Sequence, residues 1–282
     1  MSKYIRFEHV ARKLWCEPWL ILPRMHAVIS SVFEDHLSRR LDNAGLGDLF
    51  EPQEPEPMQV ENGVAIIPVR GVISREISDM ERISGAADVL DIEDMIDEAE
   101  SRADVSAVMF DISSPGGTVT GVEELAQRIR DMRKPSLTWT GDMMASAAYW
   151  IGSAADIVYA STSADVGSIG VYLPIVDSTR AHEMAGEYVD LIRSTKTPHK
   201  GAGFPGTKLT EAQRAEFQAG VDYLYDRFAG AVKSARPMVS ADAMDGRTFY
   251  GPQAKEMGLV DAIAGRKQAL RDAATMGAMR RS

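Results

Sequence analysis

Short apolar runs alternate with amphipathic stretches through the middle of the chain. The runs are rich in β-branched residues, which is typical of strands buried on both faces of a sheet. They cover residues 64–69, 107–112, 136–140 and 157–160. The stretches between them predict helices over residues 91–103, 122–132 and 145–155. Strand and helix in short alternation indicate an α/β fold, with a mainly parallel sheet and crossover helices.

The texture of the sequence changes towards both ends. The predicted parts are a helical N-terminal extension (1–50), a linker (51–59), a main domain (60–265) and a basic C-terminal tail (266–282). The linker prediction rests on the acidic, proline-rich run from Glu51 to Pro57, which has nothing to bury. Within the main domain, residues 210–236 predict a long amphipathic helix whose capping box pairs Thr210 with Gln213. The end of the tail is expected to fray.

Composition excludes several classes of function. The net charge of −10 argues against binding to nucleic acid, because neutralising phosphates needs clustered basic residues. No apolar run approaches the roughly 18 residues that a membrane span needs, and no secretory signal is recognisable, so we expect a cytoplasmic protein. Cys16 is the only cysteine and is expected to be a buried structural thiol. The histidines are scattered without metal-binding spacing, and we expect neither a metal nor a cofactor.

Gly116 and Gly117 follow the second predicted strand and precede a helix. Paired glycines let a backbone approach a ligand closely and turn its N–H groups into a cleft. In acyl transfer such N–H groups stabilise the oxyanion of the tetrahedral intermediate. Judged from the glycine pair alone, an ordinary strand-to-helix turn is the simpler interpretation.

Ser146 stands among small residues at the start of a predicted helix. Its hydroxyl has room around it, and the N–H of Ala147 is placed to donate to a developing oxyanion. This pattern suits a nucleophile. The alternative is a serine that only caps the helix, which is its commonest role at such a position.

Lys196 and Lys200 lie in a loop that has little regular pattern. A nucleophilic serine needs a base, and a lysine whose pKa is lowered by desolvation can serve as one. Judged from this loop alone, two solvated surface lysines are the simpler interpretation.

Taken together, these motifs resemble the signal peptide peptidase A-like serine peptidases, which include phage and prophage head-maturation proteases. The resemblance covers about residues 60–263. Its elements, in chain order, are Ile112-Ser-Ser-Pro-Gly-Gly117, Met144-Ala-Ser-Ala-Ala-Tyr-Trp150, Val166-Gly-Ser-Ile-Gly170, the lysine loop and Gly251-Pro-Gln-Ala-Lys-Glu-Met-Gly-Leu-Val-Asp261. It implies a ClpP/crotonase-like spiral of ββα units with a mainly parallel sheet, preceded by the short helical extension.

The resemblance also implies roles for individual residues. It makes Ser146 the nucleophile and Lys200 the base of a Ser–Lys dyad. The implied oxyanion donors are the backbone N–H groups of Gly117 or Gly116 and of Ala147. The resemblance also implies that Ser168 orients the base, whereas the residues alone fit a glycine-rich turn in which Ser168 caps a chain reversal.

The lysine loop departs from the family's usual Gly-x-His/Tyr-Lys pattern, because Thr195-Lys-Thr-Pro-His-Lys200 carries extra residues. Lys196 therefore stays an alternative base. Relatives of the same fold use a histidine, but the polar setting of His182 favours a solvated surface residue. Residues 258–261 are expected to dock the C-terminal part onto the sheet, and Tyr149 and Trp150 are expected in the core.

Residues 10–33 resemble the N-terminal region of the phage and prophage members. The expected function is a capsid maturation protease that cuts capsid, scaffold or portal proteins. We expect it to form a homo-oligomer, without nucleic acid or a membrane span, in the host cytoplasm or the procapsid interior. The alternatives are a cytoplasmic signal-peptide-peptidase-like protease, a crotonase-like acyl-CoA enzyme, and a non-catalytic role in capsid assembly.

Overall fold

The computed structural model describes residues 17–31, 56–83 and 85–281. The predicted thiol site at Cys16, much of the N-terminal extension and residues 51–55 of the linker lie outside these ranges. The strands are β1 (Trp19–Ile21), β2 (Gln59–Glu61), β3 (Val64–Arg70), β4 (Ile73–Ser74), β5 (Ala87–Asp88), β6 (Ala107–Ser113), β7 (Gly116–Thr118), β8 (Ser136–Thr140), β9 (Met143–Ala145), β10 (Ile157–Ala160), β11 (Asp165–Gly167), β12 (Thr248–Tyr250) and β13 (Ala262–Ile263). The α-helices within residues 56–281 are α1 (Asp79–Ile83), α2 (Val89–Ser101), α3 (Val122–Arg130), α4 (Ala147–Gly152), α5 (Thr179–Met184), α6 (Glu211–Ala235), α7 (Gly251–Glu256) and α8 (Arg266–Arg281).

A large sheet in the order β13-β10-β8-β6-β3-β2 organises the molecule. Its central pairings are parallel, from β3 with β6 through β8 to β10, and only the edge strand β2 runs antiparallel. The first six residues of β3 and of β6 are all buried, which explains why both strands are largely apolar, with Asp111 the exception in β6. The predicted α/β fold with a mainly parallel sheet is confirmed.

The chain repeats a ββα unit. In each repeat the first strand (β3, β6, β8 or β10) joins the large sheet, and a second short strand (β4, β7, β9 or β11) turns away from it. The second strands pair with one another, β4 with β7 and β9 with β11, and a bridge from Ser114 to Met144 links the two pairs. Successive units therefore wind into the spiral that the resemblance implies.

The main core lies between the large sheet and the helices α2, α3, α4 and α6. Every residue of α4 is buried, and the ring of Trp150 stacks on Phe228 of α6 with centroids 4.7 Å apart. Helix α6 begins with the predicted capping box, in which Thr210 and Gln213 satisfy each other's backbone N–H groups. Tyr149 and Trp150 lie in the core, as the sequence predicts.

Two segments differ from the prediction near the chain ends. Trp19–Ile21 form the strand β1 within the segment predicted to be helical, while residues 23–31 are helical. The run from Trp19 to Leu22 is apolar and lies between Pro18 and Pro23, a length and composition that suit a strand. The basic C-terminal tail, expected to fray towards its end, is the helix α8 through residue 281.

Helix α8 packs on the face of the large sheet opposite the main core. Its buried residues Ala269, Leu270 and Ala273 contact a second apolar cluster on β3, β6 and β8. Alanines carry little of the hydrophobic signal by which an amphipathic helix is recognised, which explains why the sequence pattern missed α8. The docking of residues 258–261 is confirmed, because the N–H of Asp261 donates to the carbonyl of Val158 at 2.7 Å.

Two of the motif regions have a secondary structure different from the one predicted. The glycine pair lies in the strand β7 rather than in a turn. Residues 145–155 do not form one helix as predicted, because Ala145 is the last residue of β9 and α4 begins at Ala147. In the part of the chain that the structure covers, no helix combines the length and apolar character needed to cross a bilayer.

Candidate active site

Ser146 stands at the junction between β9 and α4, with φ 57° and ψ −118°. A positive φ at a non-glycine residue typically costs about 1–3 kcal/mol, and such strain concentrates at functional sites. Two backbone hydrogen bonds hold this conformation. The N–H of Ser146 donates to the carbonyl of Gly167 at 2.7 Å, and its carbonyl accepts from the N–H of Trp150 at 2.9 Å.

The Ser146 side chain is buried, and its hydroxyl lacks a hydrogen-bond partner in the described part of the molecule. It makes no capping bond to the N–H groups of α4, so the alternative role as a helix cap is wrong. An unpaired buried hydroxyl typically costs about 1–3 kcal/mol. A residue that is retained for its chemical role is expected to combine backbone strain with a missing hydrogen bond, as Ser146 does.

Gly116 lies directly against Ser146. A Cβ added to Gly116 would stand 3.0 Å from the Cβ of Ser146 and 2.1 Å from the carbonyl oxygen of Leu20. Gly116 also has a φ of +103°, which any other residue would adopt only with backbone strain. The glycine therefore lets three backbone segments meet at one point, and its N–H donates to the hydroxyl of Ser114 at 3.2 Å.

Gly117 is required for a different reason. A Cβ at this position would stand 1.7 Å from the carbonyl oxygen of Ile73, because β4 runs alongside β7. Ala147, the other residue of the predicted oxyanion hole, is buried and is the first residue of α4. N–H groups in the first turn of a helix have no partner within the helix.

Ser168 lies next to this arrangement because β11 runs parallel to β9, with Gly167 opposite Ala145. Ser168 is buried, has φ 53°, and its N–H donates to the carbonyl of Arg247 at 2.7 Å. The structure thus brings Ser146, the glycine pair, Ala147 and the turn at Ser168 together, although these motifs are distant in sequence.

The two candidate lysines are not part of this cluster. Lys196 and Lys200 are both exposed, and the N–H of Lys200 donates to the carbonyl of Thr197 at 3.0 Å within a surface turn. Because the Ser146 hydroxyl has no hydrogen-bond partner among the described residues, neither amine is joined to it. The choice of base between them remains a prediction.

His182 does not substitute for the lysine. It belongs to α5, which has no buried residue, and its Nδ1 lies 2.9 Å from a carboxylate oxygen of Glu187. The described residues contain no group of three or more His, Cys, Asp or Glu side chains close enough to hold a metal ion.

Sequence reasoning missed the segment that covers the site. Strand β1 pairs antiparallel with β7, with Leu20 opposite Gly117 and Ile21 opposite Gly116. On its other side Trp19 pairs with Tyr172, a residue of the chain that follows the turn at Ser168. The available signal was the apolar run between Pro18 and Pro23, which is too short for a helix. Burial raises the pKa of the Tyr172 hydroxyl to about 12.

A buried serine on a strained strand-to-helix turn, with a glycine pair against it, is the arrangement expected of a serine hydrolase. Comparison with known sequences gives this class a family. The profile of Peptidase family S49 matches residues 128–279, which include Ser146, Ser168 and both candidate lysines. The chain belongs to this family.

Curated relatives carry protease names. The chain is 28% identical over 228 residues to Protease 4 of Haemophilus influenzae, covering 79% of this chain and 36% of that protein. It is 29% identical over 229 residues to Capsid assembly protease C of Escherichia phage lambda, covering 79% of this chain and 52% of that protein. The chain therefore spans between about a third and a half of the length of these relatives.

This chain is also similar to a solved structure of ClpP1 from Listeria monocytogenes. The match covers 73% of this chain and 94% of the ClpP1 chain, with 13% identity and a TM-score of 0.47. This likeness is partial.

Proposed function

We propose that the chain is a serine endopeptidase in which Ser146 is the nucleophile and Lys200 is the base. The observation that carries the proposal is the state of Ser146, whose backbone is strained and whose buried hydroxyl has no partner in the part of the chain that the structure describes. Membership of Peptidase family S49 supports the same reaction class.

In the proposed reaction, the neutral amine of Lys200 takes the hydroxyl proton as the Ser146 oxygen attacks the carbonyl carbon of a peptide bond. The resulting oxyanion accepts hydrogen bonds from the backbone N–H of Gly117 or Gly116 and from that of Ala147. The lysine then passes the proton to the leaving amine, and water releases the acyl group from the serine by the reverse sequence. Ser168, beside Ser146, is the proposed positioning residue for the lysine.

The base must come to the serine for this reaction to occur. Lys200 lies on the surface within a stretch that also exposes apolar side chains, among them Tyr188 and Ile192. Apolar side chains left in water are a common mark of a surface that another chain covers. We therefore propose a homo-oligomer in which residues 171–209 are covered, with the lysine loop brought close to a serine.

The proposed substrates are capsid, scaffold or portal proteins, cut within a procapsid or in the host cytoplasm. The similarity to the lambda capsid assembly protease supports this role. A second candidate is a signal-peptide-peptidase-like protease acting on other peptides, which the similarity to Protease 4 favours.

Labelling with a fluorophosphonate probe tests the chemistry. We expect wild-type protein to label at one serine, and Ser146→Ala and Lys200→Ala to lose that labelling. Lys196→Ala is the matched control, because it removes a second exposed lysine from the same loop.

The outcomes separate the assignments. Labelling that survives in Lys200→Ala and disappears in Lys196→Ala would move the base to Lys196. Labelling of Ser146→Ala at the wild-type rate would exclude Ser146 as the nucleophile. Incubation of the active protein with purified capsid, scaffold and portal proteins, followed by mass spectrometry of the fragments, then tests the substrates.

A further inference from the structure

We infer that β1 is an internal occupant of the groove in which a peptide substrate pairs, and that it must leave before Ser146 can react. Strand β1 lies between two backbone segments that flank the serine. On one side it pairs antiparallel with β7, at the glycine pair. On the other side the N–H of Trp19 donates to the carbonyl of Tyr172 at 2.8 Å, and that of Tyr172 donates back at 3.1 Å.

The slot between β7 and Tyr172 is therefore the width of one extended chain. Without β1, both segments would present unpaired backbone groups, which is the arrangement that captures an added peptide strand. Main-chain pairing of this kind accepts many sequences, while the side chains set the preference. Leu20 and Ile21 are both buried, so the slot accepts apolar side chains.

The position of Leu20 ties this slot to the reactive serine. The carbonyl oxygen of Leu20 and the Cβ of Ser146 lie 2.1 and 3.0 Å from the same point, the place of a Cβ on Gly116. The Leu20 carbonyl of β1 therefore lies close to Ser146, and we propose that a substrate carbonyl takes its place when β1 leaves. Ser146 is 1% exposed in this state, so no second peptide can reach it.

Contacts outside the slot hold β1 in place. The rings of Trp19 and His26 lie 5.0 Å apart, and His26 lies 5.8 Å from the ring of Tyr172. The N–H of Leu22 donates to the carbonyl of Pro115 at 3.1 Å. With only three residues in the strand and prolines on both flanks, β1 is a short occupant, and short strands are the part of a sheet that opens most readily.

A reversible lock on β1 tests the inference in the full chain. Trp19 and Tyr172 form a hydrogen-bonded antiparallel pair, and the Cα atoms of such pairs typically stand about 5.5 Å apart, within the ~4.4–6.8 Å range of disulfides. The triple variant Cys16→Ser, Trp19→Cys, Tyr172→Cys closes a disulfide across the pair when oxidised. The two variants that keep only one of these new cysteines, each with Cys16→Ser, are the controls.

We expect fluorophosphonate labelling of Ser146 in the oxidised triple variant to be at least about tenfold slower than in its reduced form, because labelling needs the open state. The control variants are expected to label equally under both conditions. A second measurement uses the same variants in a Ser146→Ala background, with a fluorescent peptide of residues 17–22. Its fluorescence anisotropy is expected to report binding to the reduced form and loss of binding on oxidation.

The inference rests on the proposed function only for the role of Ser146, and the two readouts separate their failures. Equal labelling and equal peptide binding in both redox states would overturn the occupancy of the groove and leave the nucleophile in place. Peptide binding that follows the lock, without labelling in either state, would support the groove and overturn Ser146 as the nucleophile. No peptide binding to either form would overturn the groove assignment.

Discussion

At the scale of single residues, the positive φ of Ser146 lowers the free energy of unfolding, and a substitution can measure by how much. Glycine adopts a positive φ without the clash that a Cβ introduces. We therefore expect Ser146→Gly to be more stable than Ser146→Ala by about 1 kcal/mol in urea unfolding. Both variants should lose fluorophosphonate labelling. Equal stability of the two would show that the backbone at position 146 relaxes when the hydroxyl is absent.

Gly117 offers a second measurement at this scale. A methyl group there would collide with the carbonyl oxygen of Ile73, which belongs to the neighbouring backbone and cannot swing aside. We expect Gly117→Ala to lower the free energy of unfolding by about 2–3 kcal/mol and to reduce labelling of Ser146.

Gly230→Ala is the matched control for Gly117→Ala. Gly230 lies within α6, and a Cβ there would meet nothing within 4 Å. Alanine should stabilise this helix by about 0.5–1 kcal/mol, so the two substitutions are expected to have opposite signs in thermal unfolding. A stabilising Gly117→Ala would contradict the close approach of β4 to β7.

The sequence motifs predicted which residues lie around Ser146, but not the strained backbone of Ser146 or the burial of its hydroxyl. Ser146, the glycine pair and Ser168 were recognisable because each belongs to a short motif with a chemical rationale. The positive φ of Ser146 is held by the hydrogen bond from its N–H to the carbonyl of Gly167, a residue distant in sequence. Such contacts depend on packing between distant segments, which residue order alone does not specify.

At the scale of secondary-structure elements, Arg236 anchors the end of α6. Its buried guanidinium donates to the carbonyls of Ser153 and Ala155 and lies 2.6 Å from a carboxylate oxygen of Asp261. It therefore ties α6 to the residues after α4 and to the segment that docks on β10. We expect Arg236→Ala to cost about 2–4 kcal/mol, because it leaves buried carbonyls unpaired.

Arg236→Lys should not restore that stability, since one ammonium group cannot reproduce the fork of donors. Arg227→Ala is the control on the same helix, because Arg227 is half exposed and pairs with Glu123 at the surface. It should cost less than about 1 kcal/mol in urea unfolding. Equal losses in Arg236→Ala and Arg227→Ala would contradict an anchoring role.

Glu100 makes the stability of α2 depend on pH. Burial raises the pKa of this carboxyl, but the N–H groups of Lys134 and Arg133 and the guanidinium of Arg133 together bring it below its ordinary value. A carboxyl with a lowered pKa in the folded state stabilises the protein above its unfolded pKa and loses this contribution as pH falls.

We therefore expect the stability difference between wild type and Glu100→Gln to be largest near neutral pH and to shrink between about pH 5 and about pH 3. Urea unfolding across that range measures it. Glu98→Gln is the control on the same helix, since Glu98 is exposed and pairs with the exposed Arg102. A difference for Glu100→Gln that grows as pH falls would contradict the lowered pKa.

Among the elements, periodicity predicted those that carry a strong apolar pattern, such as β3, β6 and α6. It failed for β1 and α8, for different reasons. Helix α8 buries alanines, whose small side chains leave a weak pattern. Strand β1 has a clear apolar run, but its partner β7 contains two glycines, and no local signal says which edge it pairs with.

At the scale of the whole molecule, the parallel spiral follows from the alternation of strands and helices, whereas the position of the base does not. Lys200 stands in a stretch where Met184, Tyr188 and Ile192 are 80, 90 and 92% exposed. Within the described residues these side chains are left in water, and the Ser146 hydroxyl has no hydrogen-bond partner that could act as its base. If this stretch packs against a second copy of the chain, its apolar side chains become buried. The same contact brings Lys200 to the Ser146 of that second copy.

Mixing two inactive variants tests this arrangement. Ser146→Ala keeps the lysine and Lys200→Ala keeps the serine, so a mixed oligomer rebuilds sites only if the dyad forms between chains. After co-refolding at equal amounts, we expect labelling of about a quarter of that of wild type, because half the chains keep the serine and half of their neighbours keep the lysine. Ile192→Asp introduced into both variants should remove the recovered labelling by weakening the contact. If the mixture labels no more than its components, the lysine loop must instead fold back onto the serine of its own chain.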